Sequence, residues 1–236
     1  MFDPKKLLND LLNTSVPGTE GTVKDTASQL GQKAKENPLA TGAIAAVLLG
    51  TSTGRSITGS ALQLGAVAAV GGLAYKAYQN YKNGDKPAEV TDANNEISVL
   101  PPPSDSDFAL EAAPQGEDEF TLSLIKAMIS AARADGHIDE EERLRIAEKL
   151  KLSGIDEDAQ NFIRAELAKP VDLDKLVASA ETEAQRVELY TASPLAIQPQ
   201  TRAERGYLDM LAGRLALPDA LVDHVEATIN GATAGA

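Results

Sequence analysis

The feature that most constrains this chain is the helical spacing of apolar residues in its C-terminal half. On both sides of Gly136 these residues recur with the 3.6-residue period of an amphipathic helix: Leu122, Ile125, Met128, Ile129 and Ala132 before it, and Leu144, Ile146, Ala147 and Leu150 after it. The same spacing predicts further helices at about 157–168, 173–182, 184–197, 202–215 and 219–229. We therefore expect an all-α fold, with seven short helices forming a compact bundle over residues 117–236.

Prolines separate most of these predicted helices. Pro170, Pro199 and Pro218 lie between helices or at their starts, where proline's missing backbone N–H is tolerated. Pro194 instead falls inside a helical run, and we expect it to kink that helix.

The formal net charge of -13 is unevenly distributed along the chain. Residues 1–86 carry +3, residues 87–116 carry -6 and residues 117–236 carry -10. An acidic domain repels the phosphate backbone, so we expect no nucleic-acid partner for the C-terminal half. The basic excess lies beside the apolar N-terminal segment, where anionic lipid headgroups would attract it.

Composition also limits the chemistry that is available. The chain has no cysteine, which excludes disulfides, thiolate nucleophiles and Cys-ligated metal centres. No Ser or Lys is placed beside a base for nucleophilic attack. We therefore expect no catalytic residues, no bound cofactor and no enzymatic activity.

The first 36 residues are predicted to be an amphipathic and flexible segment. Lys5 and Lys6 lie opposite a short apolar pattern made of Phe2, Leu7, Leu8, Leu11 and Leu12. Such a helix lies in a membrane interface or packs on another part of the protein, and the sequence favours neither.

Residues 37–82 form an Ala/Gly-rich segment that is predicted to associate with a lipid membrane. Between Glu36 and Lys76 the only charged side chain is Arg55, and each half approaches the roughly 20 residues of a bilayer-spanning helix. Ile57–Tyr75 is the better candidate, because tyrosines and then lysines follow it, a pattern typical of a cytoplasmic exit. The alternative is an Ala/Gly-rich segment that packs on itself or on a partner.

The next segment, residues 83–116, is predicted to be a disordered acidic linker. It contains a Pro101–Pro103 run and scattered Asp, Ser and Asn without a sustained helical period. Such a composition buries too little apolar surface to offset the entropy of ordering.

An acidic corner, residues 134–143, joins the first two predicted helices of the C-terminal half. Asp139 is a good N-cap, Glu142 completes a capping box, and Gly136 suits the left-handed residue that ends a helix. Asp135, Gly136 and Glu142 also resemble the second half of an EF-hand loop, which would let Asp135, Asp139 and Glu142 hold a divalent cation weakly. Ala131 and Arg133 supply no carboxylate to such a site.

The two histidines differ in their expected roles. His137 lies among the carboxylates of the acidic corner, which should hold its proton more tightly and could make it sensitive to pH. His224 lies in an apolar stretch near the C-terminus and is expected on a helix surface.

Residues 119–229 resemble the TerB-like helical domain of tellurite-resistance proteins, in particular the branch of YebE-type inner-membrane proteins. The likeness is carried by Ile125–Met128, Ala132–Glu142, Lys169–Asp172 and Glu204–Leu208. It implies an all-α fold, attachment to the inner membrane of a Gram-negative bacterium and no established enzymatic activity. Gln198 and Gln200 stand where related sequences often carry acids, which weakens a two-sided carboxylate metal site.

These observations predict a membrane-tethered, non-enzymatic helical interaction module in envelope or metal/oxyanion stress response. It would bind an unknown protein partner through its C-terminal domain, in the cytoplasm. The alternative is a domain that responds to a divalent cation through the Asp135–Glu142 corner. The sequence does not predict an oligomeric state.

Overall fold

The computed structural model describes residues 3–13, 66–87, 100–134, 156–197 and 201–233. Within these residues the chain forms eight α-helices and one short 3-10 turn, with no strand, which confirms the predicted all-α bundle. In chain order they are α1 Pro4–Asn13, α2 Ala66–Asn83, the 3-10 turn Leu110–Ala112, α3 Glu117–Ala132, α4 Glu157–Ala168, α5 Leu173–Ala178, α6 Glu183–Ile197, α7 Arg202–Arg214 and α8 Asp219–Thr233.

Side-chain caps fix the starts of several of these helices. The backbone N–H of Ala159 donates to Asp156 Oδ1 at 2.9 Å at the start of α4, and that of Lys175 donates to Asp172 Oδ1 at 3.0 Å at the start of α5. At α7, Thr201 and Glu204 form a complete capping box. The predicted bounds of α4 are therefore met, and those of α6, α7 and α8 are met to within a few residues.

Helix α6 lies at the centre of the bundle. Its residues from Ala184 to Ile197 are buried on nearly every side, including Pro194, and the helix continues through that proline. It packs most extensively on α3 and also contacts α2, α7 and α8. Burial of α6 therefore links helices from both ends of the chain into one core.

Helix α1 packs on protein. Leu7, Leu8 and Leu11 are at most 3% exposed and lie against α2 and α3. The ammonium of Lys5 forms an ion pair with Glu117 at the start of α3. Of the two alternatives open for this segment, the described residues favour packing on the protein.

Helix α2 contains the end of the segment predicted to enter a membrane. Its side chains Val70, Leu73, Ala74 and Ala77 are at most 1% exposed, and the helix packs on α8, α6 and α1. Among the described residues, no helix has the length and apolar character needed to cross a bilayer. Residues 37–65 lie outside the described residues, so membrane association by that part of the segment stays a prediction.

Residues 100–116 fold onto the bundle, which differs from the predicted extended linker. Phe108 is 5% exposed, and its ring lies 5.7 Å from that of Tyr75 and 5.3 Å from that of Tyr78. Gln115 and Gln185 exchange side-chain hydrogen bonds at 3.3 and 2.9 Å. One aromatic anchor and one amide pair thus order a stretch whose composition alone indicates disorder. Residues 88–99 of the predicted linker lie outside the described residues.

The predicted boundary at residue 117 coincides with the start of α3. It does not separate two cores among the described residues, because α1, α2 and the segment 100–116 pack against the helices that follow. The predicted linker does begin where α2 ends. There Gly84 adopts a φ of 72°, a left-handed conformation that favours glycine at a helix C-terminus.

Candidate functional site

The acidic corner predicted from the sequence begins where α3 ends. Arg133 and Ala134 are described, whereas Asp135, Asp139 and Glu142 lie outside the described residues, as do Gly136 and His137. The predicted cation site and capping box therefore stay predictions. Within the described part of the chain, no group of three His, Asp or Glu side chains is placed to hold a metal ion.

A cavity of about 580 Å³ lies at the C-terminal end of α3 and includes Ala134 in its lining. It is open to solvent and is bordered by the C-terminal end of α3, the turn before α5, α5 itself and α7, three helices that contact one another pairwise. We call it the α3–α5–α7 cavity. Its volume falls within the range of sites that bind small molecules.

Hydrogen-bond donors and acceptors line one part of the cavity: Ser130, Arg133, Asp172, Asp174, Tyr207 and Arg214. Arg133 Nη1 donates to the backbone carbonyl of Lys169, and Arg214 Nη1 pairs with Asp174 Oδ1.

The carboxylate of Asp172 is engaged in the protein itself. It accepts the backbone N–H of Lys175 and pairs with the Lys175 ammonium at 3.3 Å. The backbone N–H of Lys175 is the largest cause lowering the pKa of Asp172, and the Lys175 side chain adds to it. Asp172 therefore stays ionised at neutral pH and acts mainly as the N-cap of α5.

Tyr207 lines the cavity and carries a buried hydroxyl. The residue is 6% exposed, and its hydroxyl lies near those of Ser130 and Ser193. The hydroxyl forms no hydrogen bond of good geometry within the described residues. The hydroxyl of Ser193 donates to the carbonyl of Leu189 at 3.3 Å. Burial raises the pKa of Tyr207, so the hydroxyl keeps its proton and remains a hydrogen-bond donor.

The remaining lining of the cavity is apolar: Ala134, Pro170, Val171, Leu173 and Met210. Val171 is 38% exposed and Met210 is 46% exposed. Three large apolar side chains are exposed among the described residues, and two of the three, Val171 and Met210, lie at this cavity. Exposed apolar side chains beside a few polar groups in a concave surface are typical of a site that binds another molecule.

A second buried polar group, Glu188, lies on α6 away from the cavity. It is 4% exposed, and burial raises the pKa of its carboxyl well above 4.5. Its Oε1 lies 3.1 Å from the point that a Cβ on Gly71 would occupy, and the carbonyl oxygen of Phe108 lies 3.2 Å from that point. We call this arrangement the Glu188 niche. Its atoms are close-packed and leave little room for a ligand.

His224 is buried, so the expectation of a surface position is wrong. The residue is 4% exposed, and its ring lies 6.2 Å from that of Tyr81 on α2. Nearby, the hydroxyl of Tyr190 donates to Glu226 Oε1 at 2.9 Å. The apolar neighbours of His224 were a sequence signal from which this burial could have been predicted, and α2 supplies the surface that covers it.

Comparison with known proteins identifies a family but no activity. The family described as "Protein of unknown function (DUF533)" matches residues 34–229. A curated relative, "Uncharacterized protein in ampR 5'region" from Yersinia enterocolitica, is 30% identical over 112 residues, which cover 48% of this chain and 81% of the relative. No solved structure matches this chain.

Proposed function

Because this chain belongs to the DUF533 family, a TerB-like family of unknown function, we propose its function from the described structure. It is a non-enzymatic helical interaction module that takes a protein partner at the α3–α5–α7 cavity. The observation that carries this proposal is the pair of exposed apolar side chains, Val171 and Met210, at the rim of a cavity with a polar wall. Exposure of both to water is unfavourable, and a partner that covers them recovers that free energy.

The arrangement of the chain supports the same proposal. Three separated blocks that carry the resemblance to TerB-like domains meet at this cavity: the end of α3 with Arg133, the turn Lys169–Asp172, and the first half of α7 with Tyr207. The cavity is therefore built by the segments that characterise the likeness.

A membrane tether is the second part of the proposal. Residues 37–65 contain one charged side chain, Arg55, and precede a helix that already packs on the bundle. The likeness to YebE-type inner-membrane proteins supports an inner-membrane location with the bundle in the cytoplasm. A role in envelope or metal/oxyanion stress response is part of the same proposal.

The tether is tested by fractionating cells that make the full chain. We expect the protein to stay in the membrane fraction through a high-salt wash and to require detergent for release. Deleting residues 38–62 should release it and leave α2 in place. If the unaltered chain leaves the membranes in salt alone, the tether is disproved.

The interaction surface is tested by site-specific photo-crosslinking in living cells. A benzoylphenylalanine at Met210 should give a discrete adduct of higher mass, which reports a protein partner at the rim. The matched control is the same probe at Asp223, an exposed position on α8. Equal adducts from both positions, or none from Met210, would contradict the proposal.

A further inference from the structure

We propose that the α3–α5–α7 cavity recognises a carboxylate on a peptide segment of the partner, together with an adjacent apolar side chain. This inference rests on the proposed function, because it names the chemistry that the partner presents. The inference is based on the ion pairs and hydrogen bonds of the cavity side chains: some of these side chains are held by the protein, and others can exchange a protein partner for a ligand.

The ion pair between Arg214 and Asp174 is the group that can exchange. Both side chains are exposed, 45% for Arg214 and 84% for Asp174, and an exposed ion pair contributes little to stability. A ligand carboxylate that replaces Asp174 keeps the guanidinium paired and can bind it through two parallel hydrogen bonds. The exchange therefore costs the protein little.

The two aspartates at the cavity do not prevent an anionic ligand from binding. Asp172 is engaged with Lys175, and Asp174 pairs with Arg214 while 84% of its side chain stays exposed. The guanidinium groups of Arg133 and Arg214 line the same cavity, whereas Lys175 pairs with Asp172 outside its lining. The described lining thus carries two arginines and two aspartates and is not net negative, so it does not by itself repel a ligand carboxylate.

The deeper wall of the cavity also favours an acceptor. The buried hydroxyl of Tyr207 is a donor without a hydrogen bond among the described residues, and Ser130 beside it lines the cavity. A peptide carbonyl or carboxylate oxygen that reaches Ser130 can accept from its hydroxyl, and a ligand that opens the wall there also supplies the acceptor that the buried Tyr207 hydroxyl requires. The apolar side chain of the ligand would then pack on Val171 and Met210.

Methionine methyl groups provide the readout, because the full chain contains three methionines. Met210 lines the cavity, whereas Met128 is 3% exposed in the core and serves as the internal control. The probe is N-acetyl-leucine, which joins a carboxylate to an apolar side chain. Its matched control is N-acetyl-leucinamide, in which an uncharged amide replaces the carboxylate.

We expect N-acetyl-leucine to shift the methyl signal of Met210 saturably, with a dissociation constant on the order of millimolar for so small a ligand, and to leave Met128 unshifted. The amide should bind about tenfold more weakly, because it cannot form charge-assisted hydrogen bonds with Arg214. Asp174→Asn removes the competing carboxylate and should strengthen binding of the acid roughly threefold.

Three results would overturn the inference: no saturable shift of Met210, equal affinity for acid and amide, or weaker binding of the acid by Asp174→Asn. These results are separable from failure of the proposed function. Crosslinking from Met210 that persists while acid and amide bind equally leaves the interaction surface in place and rejects the carboxylate as its ligand.

Discussion

The Glu188 niche and the α3–α5–α7 cavity each bury a polar side chain, yet they differ in what surrounds it. At Glu188 the space beside Gly71 is filled by the carboxyl itself and by the carbonyl oxygen of Phe108. At Tyr207 a cavity of about 580 Å³ adjoins the ring. A buried polar group in a filled niche costs free energy and leaves no room for a ligand, whereas one beside a cavity can gain a partner from outside. This difference assigns a structural role to Glu188 and a binding role to the region of Tyr207.

The largest expected effect that tests this comparison is the change in the protein's folding stability with pH that is caused by Glu188. Burial raises the pKa of Glu188 above its usual 4.5, so the folded protein holds the proton more tightly than the unfolded chain. Its contribution to stability is then fully present below pH 4.5 and is lost as the pH rises towards the raised pKa, by up to about 1.4 kcal/mol per pH unit.

Glu188→Gln removes this titration while keeping the shape of the side chain. Chemical denaturation of both proteins from about pH 4 to about pH 8 should show that the variant gains stability over the unaltered protein as the pH rises. A difference that does not change with pH would mean that Glu188 titrates normally and would break the comparison.

The next effect concerns whether the niche is filled. In Gly71→Ala the new Cβ lies 3.1 Å from Glu188 Oε1 and 3.2 Å from the carbonyl oxygen of Phe108, so we expect a loss of about 1–3 kcal/mol. Gly206→Ala on α7 is the matched control, because no atom lies within 4 Å of its added Cβ. That variant should be stabilised by about 0.5–1 kcal/mol. Equal changes in unfolding free energy at both glycines would show that the niche has spare room.

A smaller effect compares the hydroxyls of two buried tyrosines. Tyr207→Phe removes a hydroxyl that has no hydrogen bond among the described residues, so the unfolding free energy should change by less than about 0.5 kcal/mol or increase. Tyr190→Phe removes a donor to Glu226 at 2.9 Å and should cost about 1 kcal/mol. If Tyr207→Phe proves the more damaging of the two, its hydroxyl already has a partner within the protein.

The helices were predictable where local signals agree. Asp156 caps α4 and Pro170 lies just beyond its end, so the predicted bounds, 157–168, are those of the structure. Helix α5 was predicted to reach residue 182 but ends at Ala178. The reason is that the hydroxyl of Thr182 accepts the backbone N–H of Gln185 at 3.1 Å and so begins α6. Competition between the end of one helix and the cap of the next is not visible in apolar spacing alone.

Burial of α2 and of residues 100–116 was not predictable from composition. The composition of an uncharged Ala/Gly-rich run does not distinguish a helix that faces lipid from one that packs on protein. In the structure, α2 packs on α8 and α6. The acids and prolines before residue 117 indicated disorder, and this composition outweighed the one aromatic residue, Phe108, which is buried in the structure. A lone aromatic residue in a polar segment is itself a sign that the segment packs on the protein.

The candidate site depended still more on tertiary structure. Arg133, Val171 and Tyr207 come from three elements that are distant in the sequence, and the sequence gives no sign that they enclose a cavity. Glu188 reads as a surface acid in the sequence. Only the packing of α6 on all sides shows that it is buried.

The most direct test of the central claim measures two properties of one variant, Met210→Ser. Met210 is 46% exposed, so its removal should change the unfolding free energy by no more than about 0.5 kcal/mol. The same variant should lose most of the crosslinked adduct formed by a benzoylphenylalanine at Val171, because the partner loses its apolar contact at the rim. An adduct of undiminished yield, or a loss of more than about 2 kcal/mol in stability, would show that Met210 supports the fold rather than a partner.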